Sequence, residues 1–216
     1  MSKLSFVLLL VFLVQGTVVW APAATVTFPT GDASWTADIT DEPPPIPQVP
    51  VAHPRHVEVT QLNHVKRIVI TWSDGKVSEK WSIPGLPVTF EEDPRNNAVV
   101  PFQNGSLRSM MYNFFLTYDI SAFDWVTPDL QKEKDPISYQ GKQCYHYIGS
   151  FTPPMQKFVV KKEAWIDAGT LLPVALDTGS ALTTYKFSEK PPEGPLVMPA
   201  SFKEAVKYYK VSMGYR

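Results

Sequence analysis

A single cysteine, Cys144, occurs in 216 residues. One thiol closes no internal disulfide, so an exported domain of this sequence must hold together by packing alone. Charge of one sign is missing as well. Twenty Lys and Arg stand against 21 Asp and Glu, a formal net charge of −1. A nucleic-acid binder carries a basic surplus or stripe, so that class is excluded. The G-x-S-x-G elbow, the G-x-x-x-x-G-K-[ST] loop and the G-x-G-x-x-G turn are all absent, and with them the signatures of three common enzyme classes. There is no C-x-x-C and no H-E-x-x-H. Cys144 and His146 offer two ligands where zinc needs three or four. His53, His56 and His64 are scattered in or near a proline-rich stretch, without spaced carboxylates. The expectation is a protein with no metal, no cofactor and no enzymatic activity.

Long apolar runs are lacking too, except at the start. Lys3 precedes the unbroken apolar run Phe6 to Val14, and Gln15-Gly16-Thr17 and then Ala21-Pro22-Ala23 follow it. Charge, short apolar stretch and small residues at alternate positions is the layout of a secretory signal peptide. Residues 1–23 are read as that peptide, with cleavage after Ala23. A membrane span needs about 20 mostly apolar residues, and Ser5, Gln15, Gly16 and Thr17 interrupt Leu4 to Trp20. No cysteine follows the run, which argues against a lipid anchor. The expected location is periplasmic or secreted, in a bacterial envelope. The mature chain of roughly 190 residues is one ordinary domain.

What the chain has in excess is proline, 21 residues. They cluster at Pro43-Pro44-Pro45, Pro47, Pro50 and Pro54, and again at Pro191, Pro192 and Pro195. Proline stays out of central strands, so these stretches read as extended connections. Residues 24–54 are taken as an N-terminal strand with a proline-rich linker, and 55–216 as an antiparallel β domain. In the first strand Trp35, Ala37 and Ile39 alternate with Thr36 and Asp38. Ile68, Ile70 and Trp72 share one face of Lys66 to Trp72. The turn Ser73-Asp74-Gly75-Lys76 leads into Lys76 to Ile83, where Ser78, Lys80 and Ser82 alternate with Val77, Trp81 and Ile83. That alternation predicts a hairpin with one wet face. Short strands flank Gln140-Gly141-Lys142, Ala168-Gly169-Thr170 and Asp177 to Ser180, a pattern of consecutive hairpins.

Two helices are expected. Leu107, Met110, Met111, Phe114, Phe115 and Tyr118 recur at helical spacing over 106–118. Ser201-Phe202-Lys203-Glu204 has the form of a capping box and opens a helix over 201–213, whose Phe202, Ala205, Val206 and Tyr209 share a face. The fold class is mainly β (α+β): a curled antiparallel sheet or half-barrel with two helices packed against it.

Asp177-Thr178-Gly179-Ser180 is similar to the active-site string of the pepsin and retropepsin families. That chemistry needs two carboxylates sharing a proton. With one such string, a dimer bringing two Asp177 together would be required, and the alternative reading is a hairpin turn. Glu91-Glu92-Asp93 reads as a solvated loop, Cys144 as a buried apolar residue beside a strand histidine, and Asn104-Gly105-Ser106 as the turn before the first helix. Met110, Met111, Phe114, Phe115, Trp72, Trp81 and Trp165 are the candidate lining of an apolar cavity, because ligand pockets are mostly apolar with few polar groups.

Lys162-Glu163-Ala164-Trp165-Ile166-Asp167 running through Thr170-Leu171-Leu172-Pro173 resembles a hairpin of the LolA/LolB-type, outer-membrane lipoprotein-sorting-like proteins. Tyr139-Gln140-Gly141-Lys142-Gln143-Cys144-Tyr145 is similar to that family's preceding hairpin. The resemblance covers roughly residues 137–188. It implies an antiparallel sheet curled into a half-barrel, helices packed into its concave side and an apolar cavity between them. The expected function is that of a carrier or binding protein for a lipid, an acyl chain or an apolar partner segment. Its partners would be an apolar ligand or an envelope protein, with peripheral membrane contact, no nucleic acid and a monomeric state. The competing expectations are a secreted hydrolase built on Asp177 and a structural envelope protein that binds partners by its linker and edge strands.

Overall fold

The computed structural model describes residues 26–41, 52–93, 96–103, 120–151 and 159–215. The helix expected at 106–118, the leader at 1–23, the sequon at Asn104 and most of the proline linker lie outside the described residues. Eleven strands form one sheet: β1 (Ala33–Asp41), β2 (Pro54–Leu62), β3 (Val65–Trp72), β4 (Val77–Ser82), β5 (Val88–Glu92), β6 (Val99–Gln103), β7 (Ile137–Tyr139), β8 (Lys142–Phe151), β9 (Val160–Asp167), β10 (Pro173–Asp177) and β11 (Ala181–Phe187). Their order is β6-β5-β4-β3-β2-β1-β11-β10-β9-β8-β7, antiparallel throughout. Two meanders are therefore sewn together where β1 pairs with β11. The sheet is curled and not closed, and one described helix, α1 (Ala200–Ser212), packs against it. β1, read from the sequence as part of a separate N-terminal piece, sits between β2 and β11 in the middle of the sheet.

Turn chemistry sets the registers. Asn63 and His64 both take positive φ, 51° and 64°, and make the two-residue turn that joins Leu62 to its partner Val65 with the twist a hairpin favours. Gln140 and Gly141, at φ 49° and 78°, do the same between β7 and β8. The β3–β4 turn is one residue longer. Thr71 pairs with Val77, and the Trp72 amide donates to the Lys76 carbonyl at 2.9 Å, leaving Ser73, Asp74 and Gly75 in the loop. Gly75 carries the positive φ, 80°.

That one residue decides which face each side chain of β4 occupies, because the side-chain period is two. A two-residue Asp-Gly turn would set Ile68 opposite Trp81. The observed register sets Ile68 opposite Lys80 and Arg67 opposite Trp81. Ser78 and Lys80 thus share the face of Ile68 and Ile70, while Trp81 lies on the other. The wet face expected for β4 is corrected accordingly: Ser78 and Lys80 are 2% and 5% exposed.

The inner face carries Trp35, Ala37 and Ile39 of β1, Val57 and Val59 of β2, Ile68, Ile70 and Trp72 of β3, Tyr147 of β8, Ala164 and Ile166 of β9, Leu176 of β10 and Tyr185 of β11, all in one buried cluster. A second cluster lies on the outer face of β4 and β5, where Trp81, Val88 and Phe90 meet Phe202 and Tyr209 of α1. The helix buries the face its spacing predicted. Its start differs from the expected box: Pro199 occupies the N-cap with no side-chain cap bond, and Ser201 is already helical. Gly214, at φ 71°, follows the helix end.

Candidate functional site

The inner face is the largest apolar surface the strands build, and two straps close one end of it. The first is residues 26–32. Its Thr27 amide donates to the Leu171 carbonyl at 2.9 Å. The buried Gln61 amide donates to the Thr30 and Gly31 carbonyls, each at 2.8 Å. Asp32 accepts from the Asn63 amide at 2.7 Å. These bonds tie the strap to the sheet and lay Phe28 across it. Phe28 meets Trp35, Phe123, Tyr185 and Phe187 at ring separations of 5.9, 5.8, 6.3 and 5.7 Å. Mostly tilted and edge-on contacts of this kind suit the ring quadrupoles and make an aromatic plug.

The second strap is residues 120–136, which carries Phe123 and Trp125. It contains two short 3-10 turns, Ile120–Phe123 and Pro128–Leu130. Phe123 enters the plug, and Trp125 rests on β8 at Gly149. A Cβ there would stand 2.6 Å from Trp125 Cε3, so the indole occupies space that only glycine leaves. The strap's far end is tied to the sheet edge by the Gln131–Tyr147 bridge and by the Lys132 amide on the His146 carbonyl at 2.8 Å.

At the other end of the strands the inner face carries Trp72, Ile39, Ile70, Val57 and Leu176. Trp72 Nε1 donates to Ser78 Oγ at 2.8 Å, so the indole is fixed with its polar atom satisfied. Beyond β3 the inner face turns polar. Lys80 Nζ meets Glu91 Oε1 at 2.9 Å, with the two side chains 6% and 19% exposed. Glu91 is therefore a strand residue with a buried partner, which corrects its reading as a solvated loop. Lys66 Nζ lies 5.8 Å from the Trp35 ring centroid, within cation–π range.

The seven expected lining residues divide. Met110, Met111, Phe114 and Phe115 fall outside the described residues. Trp72 is on the inner face. Trp81 is fully buried on the outer face beneath α1. Trp165 alternates with the inner-facing Ala164 and Ile166, so it too points outward. It stacks between Tyr139 at 4.3 Å and His146 at 5.0 Å. The structure does not bring Trp72, Trp81 and Trp165 together. Phe28, Trp35, Phe123 and Phe187 build the plug on the inner face and are not among the seven. The alternation of Trp35 with Ala37 and Ile39 was the signal for one of them; for Phe28, in an irregular strap, the sequence pattern offered none.

Several polar groups pair with one another. On the outer face His56 Nδ1 and Asp38 Oδ1 are 2.6 Å apart, and Lys186 Nζ is 3.3 Å from Asp38 Oδ2. The hydrogen bond from His56, helped by Lys186, holds the Asp38 carboxyl below its ordinary range. Burial raises the Glu79 carboxyl, but hydrogen bonds from Arg67 at 2.6 Å and Trp81 Nε1 at 2.9 Å outweigh it, and the net direction is down. Cys144 is buried beside Asp167, and burial pushes its thiol up. A raised thiol in an apolar setting is not a nucleophile at neutral pH. His146 lies between Glu163, 2.8 Å from Nε2, and Glu133, 3.3 Å from Nδ1. Among the described residues no group of three His, Cys, Asp or Glu side chains is arranged to hold a metal ion.

Asp177 closes β10. Its Oδ1 accepts from the Gly179 amide at 2.6 Å, and the Thr178 amide and hydroxyl both donate to the Ala181 carbonyl. Gly179 takes φ 76°, and a Cβ there would stand 2.9 Å from the Lys161 carbonyl oxygen. The D-T-G string is thus required by a turn packed against β9, and the hydrolase alternative is not favoured.

No protein-family model matches the chain, and no curated protein matches it. Among solved structures, the chain is similar to Mycobacterium tuberculosis lipoprotein LppX, with 11% identity over 76% of this chain and 88% of that one and a TM-score of 0.42. It is also similar to a DUF1329 family protein from Desulfovibrio piger, with 15% identity over 77% and 88% and a TM-score of 0.33. Both likenesses are distant, and the functional reading rests on the sheet itself. No helix among the described residues is long and apolar enough to cross a membrane.

Proposed function

We propose that the protein is an exported, non-enzymatic carrier or binding protein for a lipid, an acyl chain or an apolar segment of a partner. One observation carries this reading. A continuous apolar layer runs over the inner face from β8 through β11 and β1 to β3, and the one described helix packs on the opposite face. The aromatic plug blocks one end of that layer, so an apolar chain enters from the end that carries Trp72 and lies along the strands toward Phe28. Burial of apolar surface contributes about 25 cal/mol per Å², or about 0.8 kcal/mol per methylene. A chain of a dozen methylenes therefore gains enough to offset the ordering cost of binding. The strap at 120–136 covers the same layer through Phe123 and Trp125, and its displacement is the natural way to make room.

Asp177 has no part in this reading, because its carboxylate is occupied by a turn amide. The test is native mass spectrometry of the protein purified from its own envelope, followed by lipid extraction. A stoichiometric co-purifying lipid or acylated peptide supports the carrier and identifies the ligand class. A ligand-free protein that also takes up no added fatty acid or phospholipid contradicts it.

A further inference from the structure

We infer that the outward face of α1 is a docking surface for an anionic lipid membrane. Three of the eight exposed large apolar side chains among the described residues stand at this helix and its end, Tyr208 at 78%, Val211 at 73% and Met213 at 57% exposed, and a fourth, Tyr215 at 40%, stacks on the packed Tyr209. The helix has already spent its ordinary apolar stripe, since Phe202, Ala205, Val206 and Tyr209 pack on Trp81, Val88 and Phe90. Tyr208 and Val211 are three residues apart and project from the opposite side, where helical geometry makes them neighbours. A solvated helix face has no need of them, and exposed apolar patches mark interaction sites.

The charges around the patch identify what covers it. Lys203, Lys207 and Lys210 against Glu204 leave the helix at +2, in a chain whose formal charge is −1. Lys203, Glu204, Lys207, Tyr208 and Val211 are all exposed, and only Lys210 is half-buried. Lysines flanking tyrosine, valine and methionine are the composition of a helix lying in a headgroup layer: the ammonium groups meet lipid phosphates and the apolar side chains enter the acyl boundary. Tyrosine suits that boundary because its ring is apolar and its hydroxyl stays wet. A second copy of the chain fits less well, since a two-fold pairing of this face would set its lysines against one another. This inference does not depend on the carrier reading. It concerns the outer face of the β4–β6 end of the sheet, and the inner face could be empty without affecting it.

The experiment is co-sedimentation of the full chain with vesicles of phosphatidylcholine alone and of phosphatidylcholine with about a third phosphatidylglycerol. The N-terminal apolar run would bind both kinds alike and is the same in every variant, so the comparison isolates the helix. The expected result is preferential binding to the phosphatidylglycerol vesicles that weakens as salt rises. Lys207→Glu with Lys210→Glu should weaken it by about twenty-fold or more. Tyr208→Ser with Val211→Ser should weaken it several-fold without lowering the melting temperature, since both side chains are exposed. The same charge reversal at Lys132 and Lys134, on the strap at the far edge of the sheet, should leave it unchanged. Equal binding to both vesicle types, or equal loss from both charge reversals, overturns the proposal. So does a patch variant that alters only self-association or capture of an acidic protein.

Discussion

The two ends of this sheet bury opposite faces. From β8 to β3 the strands turn most of their apolar residues inward, onto the plug of Phe28, Trp35 and Phe123. In β4 and β5 they turn them outward, under α1, and leave Ser78, Lys80 and Glu91 on the inner side. One backbone thus carries two cores that do not share a layer, and the switch occurs across a single hairpin. The outer core is satisfied by its own helix. The inner layer has, among the described residues, only two irregular straps over it. Ordinary packing explains the first; the second is the surface on which the proposed carrier function rests.

The largest effect that separates the two regions should come from Phe202→Ala. It removes the side chain that seats α1 on Trp81, at a ring separation of 6.1 Å, and should cost about 3–5 kcal/mol. If the cores are independent, urea melts will show that loss while uptake of an apolar probe by the folded variant is unchanged. Simultaneous loss of uptake would mean that the helix also shapes the inner layer.

The next effect tests the boundary. Lys80→Met strands Glu91 in a largely buried site and should cost about 3 kcal/mol. Adding Glu91→Leu should recover most of it, because an apolar pair of similar volume replaces a buried ion pair at little cost. A double variant as unstable as the single one would show that Lys80 does more than neutralise Glu91.

Gly179→Ala comes third, at about 1–3 kcal/mol, from positive φ and the approach to Lys161. A loss in this range, with the oligomeric state unchanged, fits the turn; a variant of full stability would return Asp177-Thr178-Gly179 to the list of unexplained motifs.

The smallest effect is acid sensitivity. Asp38, Glu79, Glu163 and Asp167 all have carboxyls held below their ordinary values. Their folded-state pKa values lie under the unfolded ones, so the stability they contribute is present above the unfolded carboxylate range near pH 4 and is lost as pH falls through the folded values. Melting temperature should be flat from about pH 5 to 7 and decline below about pH 4. Decline beginning near pH 6 would contradict a carboxylate origin.

Much of the inner layer was legible in the sequence because alternation survives there: Trp35-Ala37-Ile39 and Ile68-Ile70-Trp72 mark inward positions without knowledge of partners. β2 was not legible. Pro54, His56, Glu58 and Gln61 obscure Val57 and Val59, and His56 and Glu58 point outward, where His56 pairs with both Asp38 and Glu58. β5 and β6 are five residues each, and Pro101 in β6 is tolerated on an edge strand. The inversion at β4 lay beyond pattern reading in principle. Alternation sorts Ser78 and Lys80 from Trp81, but only the length of the turn at Ser73–Gly75 says which set joins Ile68. That is why Trp72 and Trp81 were grouped, and why the structure separates them.

The most direct test of an inner layer with spare capacity is tryptophan quenching by a fatty acid brominated along its chain. The account predicts saturable quenching that shrinks in Trp72→Phe and Trp35→Phe and persists in Trp81→Phe and Trp165→Phe. Quenching carried by Trp81 or Trp165, or no quenching at all in a folded protein, would contradict it.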